Sequence, residues 1–304
     1  MKIAVEFPSI SFREGPEKVV EMARAIEDIG YDELAVFDHV IMGYPTETRQ
    51  APIYPPQMPI LEALVLLGFA AAVTKRVSLS TEVLVLPQRQ PVLVAKQIST
   101  LDTLSGGRMR LGVGVGWQQA EYDVLNEDFR TRGKLMDDAI RLLRACWTDD
   151  KIDFSSDRYN IDAIAMEPKP PQGAKLPIWV GGSSPAALRR TGELSDGWMG
   201  TAGVSDEEIL AAVATIRRHA EAAGRDPAEI GLQLMLAPPP RDEAGKTFYA
   251  ELDRVVARAE QIETMGFQWT AVNATAIFQA GARSVSAMTD QLNELHGRLR
   301  GAVS

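Results

Sequence analysis

The chain has 304 residues, 45% of them hydrophobic and 24% charged, values typical of a globular fold. They exclude a disordered or fibrous chain, and a chain of this size buries enough surface to fold without disulfides. The net charge of −9 argues against a nucleic-acid-binding surface, and the single cysteine, Cys146, predicts a reducing, cytoplasmic location.

The opening residues MKIAVEFPSI carry one lysine and a short apolar run, so they read as a strand and not as a signal peptide. Helical spacing follows at Val19, Met22, Ile26 and Ile29, with Gly30 placed for a left-handed stop. Leu34–Phe37 is a second strand, and the loop Asp38–Pro59, rich in proline and tyrosine, leads to a helix over Ile60–Val73. That apolar run is the longest in the chain and is broken by Glu62, so no membrane span is expected. Val77–Leu86 is a third strand, followed by a helix that Pro91 opens and Gly106-Gly107 ends.

The rhythm then repeats. Met109–Val115 is a strand and Leu135–Trp147 a helix, after which Lys151–Leu176, dense in proline, reads as an irregular excursion. Strands at Pro177–Val180, Asp196–Met199, Ile230–Leu236 and Gln268–Val272 alternate with helices running from Ser184 to Leu194, Ser205 to about Gly224, Tyr249 to Met265 and Ser284 to Leu299. Eight strand–helix units are the count for a closed (β/α)8 barrel of the α/β class, with an open doubly wound sheet as the alternative. No linker or shift in composition interrupts residues 1–304, which predicts one domain with insertions in the loops after strands two and four.

In such a barrel the chemistry lies at the C-terminal ends of the strands. That rule selects Asp38-His39, Thr81-Glu82-Val83, the run Gly112–Trp117 with Val115 in it, and Gly181-Gly182-Ser183-Ser184. An imidazole directly behind a strand can exchange a proton near neutral pH, and an adjacent carboxylate can set its charge, so His39 is the candidate proton carrier with Asp38 orienting it. The alternating glycines of Gly112–Gly116 fail the dinucleotide fingerprint, because Trp117 stands where a glycine is required. They allow either a flat ligand or a neighbouring chain segment to come close. A glycine turn with hydroxyls before a helix, as at Gly181–Pro185, suits a phosphate, although Ser184 and Pro185 also serve as an ordinary helix start. Three histidines without ligand spacing predict no metal site.

Together the stretches Leu79–Pro87, Pro91–Arg108, Leu111–Trp117 and Pro177–Arg190, with Asp196-Gly197-Trp198, resemble the bacterial-luciferase-like superfamily. The resemblance runs from residue 1 to about 235 and keeps only its rhythm beyond. It implies a (β/α)8 barrel, commonly dimeric, that binds FMN or the deazaflavin coenzyme F420. Asp38-His39 resembles the F420-using branch, where this pair meets the deazaflavin ring. A non-prolyl cis peptide that backs the ring falls between Glu82 and Val83, where members often have a smaller residue than Glu82. Gly182 and Ser183 would receive the phosphate, and Arg49 or Arg89 would suit the acidic tail. The implied function is an F420-dependent oxidoreductase passing a hydride to or from a small organic substrate. An FMN-dependent monooxygenase and a non-catalytic flavin-binding protein are the alternatives.

Overall fold

The computed structural model describes residues 1–304 apart from 53, 201–202, 238–242 and 304, and of residues 243–246 the backbone only. Strands β1 (Lys2–Glu6), β2 (Glu33–Val36), β3 (Ser78–Thr81), β4 (Leu84–Val85), β5 (Met109–Gly114), β8 (Ile178–Gly181), β9 (Gly197–Gly200), β10 (Gly231–Met235) and β11 (Trp269–Asn273) form one parallel sheet. Pairing of β3 with β5 closes it into a barrel of eight staves, β4 continuing the β3 stave. The closed barrel, not the open sheet, is therefore the fold. Its register sets Glu6 against Asn273, Val36 against Thr81, Val113 against Val180 and Gly181 against Met199, so the sequence-selected residues reach one rim.

Helices α1 (Pro16–Ile29), α2 (Ala63–Val73), α3 (Pro91–Ser105), α5 (Arg132–Thr148), α6 (Pro185–Leu194), α7 (Asp206–Ala222), α8 (Leu252–Thr264) and α10 (Val285–Ala302) form the outer layer, joined by the short α4 (Gln119–Val124) and α9 (Ala274–Ala280). Their start and stop signals act as expected. Gly30 and Gly106 end α1 and α3 in the left-handed region, and Ser205 with Glu208 closes a capping box on α7. The stripe Val285, Met288, Leu292, Leu295 and Leu299 is fully buried against the barrel.

Four features differ from the sequence reading. The third strand breaks after Thr81, and the peptide between Glu82 and Val83 is cis, at the bond the resemblance named. The excursion 151–176 holds an antiparallel hairpin, β6 (Ile152–Ser155) and β7 (Asn160–Ile164), whose residues are mostly exposed and so lack a clean apolar alternation. α4 and α9 are too short to show a helical period.

The glycine run of β5 has a packing cause. A Cβ on Gly114 would stand 2.6 Å from Cγ2 of Val83, and one on Gly112 would collide with the Thr81 carbonyl. These glycines admit the neighbouring broken strand, the close chain approach that is one of the two readings of the sequence. Inside the barrel, the Arg110 guanidinium lies 4.2 and 4.4 Å from the rings of Trp179 and Trp269 and is paired with Glu33. A buried charge is tolerated there because it is both paired and stacked.

Candidate active site

After β2 the chain continues at the rim, and the next two polar side chains find partners on different elements. Asp38 turns towards β4 and the segment before α3. Its Oδ2 accepts from the Val85 N–H at 3.0 Å and its Oδ1 from Nη2 of Arg89 at 2.8 Å. His39 turns the other way, and its Nδ1 lies 3.2 Å from Oε2 of Glu121 on α4. The carboxylate on the imidazole is thus Glu121, not Asp38: the expected orienting role of Asp38 is corrected, because its two oxygens are taken up by the Val85 N–H and Arg89.

Glu121 is 0% exposed and does more than meet His39. Its Oε1 accepts from the N–H groups of Val40 at 2.5 Å and Ile41 at 3.3 Å, while Gln118 receives the Gly43 N–H and donates to the Ile41 carbonyl. Two side chains of the α4 segment therefore staple the start of the long loop. Burial pushes the Glu121 carboxyl up, but the hydrogen bond and charge of His39 and the Val40 N–H more than offset this and hold it below the usual carboxylate range. Burial raises Asp38, despite Arg89 and the Val85 N–H. Because an ionised Glu121 only accepts, the proton shared with it sits on Nδ1. Nε2 of His39 has no protein partner among the described residues.

Aromatic rings complete this side of the rim. Trp117 meets His39 edge-on at 5.3 Å and Tyr54 at 6.3 Å, and Tyr54 meets His39 at 5.8 Å. Trp117 thus packs on the imidazole and also lines a groove of about 560 Å³ with Arg49 and Phe129. Arg89, a candidate for an acidic tail, is instead taken up between Asp38 and Glu62 at 2.8 and 3.0 Å.

On the neighbouring stave, Thr81 is fully buried and its hydroxyl donates to the Gly112 carbonyl at 2.6 Å, so it braces β5 and does not offer that hydroxyl to a ligand. Glu82, Val83 and Val115 are half-buried at the strand ends. At the fifth stave Gly181 and Gly182 are half-buried, Gly182 has φ +103°, and Ser183 and Ser184 are exposed. Ser184 caps α6 by accepting from the Ala187 N–H at 3.3 Å, with Pro185 at the first helical position. The Gly182 carbonyl accepts from Trp198 Nε1 at 2.9 Å, which orients the turn.

The family model for luciferase-like monooxygenases matches residues 5–247. The chain belongs to that family. An uncharacterized protein of Mycobacterium tuberculosis is 36% identical over 214 residues, covering 68% of this chain and 72% of that one. An FMNH2-dependent dimethylsulfone monooxygenase of Pseudomonas putida is 33% identical over 63% of this chain and 52% of its own length. An F420-dependent glucose-6-phosphate dehydrogenase of Amycolatopsis mediterranei is 31% identical over 62% of this chain and 54% of its own. An F420-dependent secondary alcohol dehydrogenase solved with an F420–acetone adduct superposes with a TM-score of 0.76 at 18% identity, covering 98% of this chain and 99% of that one. The family thus contains both F420- and FMN-dependent enzymes. No helix among the described residues is long and apolar enough to cross a membrane.

The rim fits a phosphorylated flat coenzyme of the kind these relatives use. It offers a glycine–serine turn with exposed serines at the start of a ten-residue helix, the half-buried break of the third strand beside it, and an imidazole with one nitrogen unpartnered among the described residues. Sequence reasoning missed Glu121, Gln118 and Tyr54. The short α4 shows no period, and nothing in the linear pattern separates a buried glutamate from a solvated one.

Proposed function

We propose that the protein is an F420-dependent oxidoreductase acting on a small organic substrate, with His39 as its proton-handling residue. The observation that carries this reading is the ionised, fully buried Glu121 on Nδ1 of His39, which leaves Nε2 as the one nitrogen free for exchange at the rim. When bound, the deazaflavin supplies the carbon that takes up or releases the hydride. His39 takes the proton from the substrate heteroatom in one direction and returns it in the other, and Glu121 stabilises the imidazolium between. Gly182, Ser183 and the start of α6 would hold the phosphate, and Val83 with Val115 would support the ring. Trp117 and Tyr54 keep water from the imidazole.

The functional unit in this reading is a homodimer. α2 is apolar on nearly every face, and Val65 and Phe69 on it and Leu93 and Leu104 on the adjacent α3 are exposed.

Fluorescence titration of the protein with F420 and with FMN tests the coenzyme. Saturable micromolar F420 binding is expected; FMN binding at that level with no response to F420 reverses the assignment to the FMN-dependent side of the family.

A further inference from the structure

Glu82 follows β3 at the break of the third stave, next to the polar interior of the barrel, and its surroundings fix which of its oxygens is in use. Arg110 can only donate. Its Nη2 contacts Oε1 of Gln233 at 2.5 Å, so the Gln233 amide must present oxygen to Arg110 and its NH2 to the other side. That NH2 donates to Oε1 of Glu82 at 2.8 Å. Below, Arg110 and Ser80 both donate to Oε1 of Glu33. The chain Glu33–Arg110–Gln233–Glu82 is therefore oriented from end to end and finishes at one glutamate oxygen. The other, Oε2, is out of contact with solvent and has no hydrogen-bond partner. The Glu82 N–H bonds the Val36 carbonyl, which sets the residue level with the end of β2 at the rim.

An unpartnered carboxylate oxygen in such a place is costly, whereas a carboxylic acid there carries a donor ready for an acceptor. We propose that Glu82 acts as a neutral acid whose Oε2–H donates a hydrogen bond to a ring carbonyl or ring nitrogen of the coenzyme, so that coenzyme binding requires this residue to be protonated. The inference rests on the proposed coenzyme reading and adds to it a contact that ties affinity to pH.

The groups facing Glu82 support the neutral form. Burial raises its carboxyl to about 7; the Arg110 charge and the Gln233 hydrogen bond act downward, and Glu33 acts upward. Tyr249, which feels the Glu82 and Glu6 charges, is itself pushed above its usual range by burial and remains neutral. At neutral pH a small contribution from a ligand acceptor decides the protonation state.

The test is fluorescence titration with F420 and with FMN from pH 5.5 to 8.5, on the wild-type protein and on Glu82→Gln. The glutamine keeps the shape, accepts from Gln233 through its oxygen and presents an NH2 where the acid presents O–H. The wild-type Kd is expected to rise roughly tenfold between pH 6 and 8 relative to Glu82→Gln, whose curve reflects only the coenzyme's own titration. Glu82→Ala is expected to bind at least several-fold more weakly than Glu82→Gln at pH 6. Infrared difference spectra of the bound state should also show a protonated carboxyl band that Glu82→Gln lacks. Parallel pH curves for wild type and Glu82→Gln, or absence of that band, overturn the inference alone. Failure of both coenzymes to bind wild type at every pH overturns the coenzyme reading and this inference with it.

Discussion

Nδ1 of His39 and Oε2 of Glu121 stand 3.2 Å apart, joining the loop after the second stave to the short helix after the fourth. The same carboxylate holds the Val40 and Ile41 N–H groups, so one side chain both fixes the loop and sets the tautomer. Glu121→Gln separates the two jobs. The amide oxygen can keep the backbone N–H groups, but its NH2 then faces Nδ1 and forces the proton to Nε2. Turnover is expected to fall about 10²-fold or more with little loss of melting temperature. Glu121→Ala is expected to lose stability as well, by about 1–3 kcal/mol for each orphaned N–H group. Steady-state kinetics beside thermal unfolding separate these outcomes; equal turnover in Glu121→Gln and wild type removes Glu121 from the chemistry.

Asp38 is 4% exposed and depends on Arg89, itself shared with Glu62. Arg89→Ala leaves a buried carboxylate with only the Val85 N–H. The expected cost is about 3–5 kcal/mol, and the double variant Asp38→Asn/Arg89→Ala should recover part of it. Denaturant midpoints for wild type, Arg89→Ala, Asp38→Asn and the double variant check this; additive losses would show that the pair is not coupled.

How far the fold could be read from the residues follows from which features are periodic. All eight staves and the main helices announce themselves through apolar spacing, glycine stops and serine caps, because each is long enough for its period to repeat. The hairpin after α5 did not, since only fragments of its surface are buried. Of the candidate residues, His39 and the Gly181–Ser184 turn could be placed at the rim from sequence because they sit at or just past strand ends. Asp38 misled because its carboxylate is committed to the Val85 N–H and Arg89, so the nearest carboxylate in sequence is not the one on the imidazole. Glu82 shows the same limit. Its position was legible, but its buried, half-satisfied state depends on Gln233, which lies 151 residues away.

Gly114 and Gly181 form the slot that receives Val83, with Cβ positions 2.6 and 2.9 Å from its methyl groups. Gly114→Ala should displace the bulge, destabilise the fold by about 1–3 kcal/mol and weaken coenzyme binding at least tenfold. Adding Val83→Ala makes room for the new methyl, so the double variant is expected to be more stable than the sum of the two losses predicts. A double-mutant cycle by denaturant unfolding decides it.

Glu82 also predicts how the unliganded protein responds to pH. Its folded carboxyl titrates near 7 against an ordinary value of 4.5. Between those values the folded chain keeps a proton that the unfolded chain has lost, so stability falls as pH rises through the window. The loss is on the order of 3 kcal/mol by pH 8. Glu82→Gln cannot ionise and should lack this component. Its stability advantage over wild type is expected to be small at pH 5 and full at pH 8, read by chemical denaturation; an advantage independent of pH would show that Glu82 is ionised throughout.

The proposed dimer face makes a final demand on α2. Val65 and Phe69 lie one turn apart, 73% and 43% exposed, on a helix with no charged residue between Ala63 and Val73. A helix apolar all round is stable in water only when a further surface covers it. The neighbouring Leu93 and Leu104 extend the apolar face onto α3. A second copy placing the same face against this one would bury all four residues by symmetry. Phe69→Asp puts a charge at the centre of that contact and should convert a dimer into a monomer in light scattering after size exclusion, with the barrel's circular dichroism unchanged. A wild-type protein that elutes as a monomer at tens of micromolar removes the dimer, and one that stays dimeric with Asp at 69 moves the interface elsewhere.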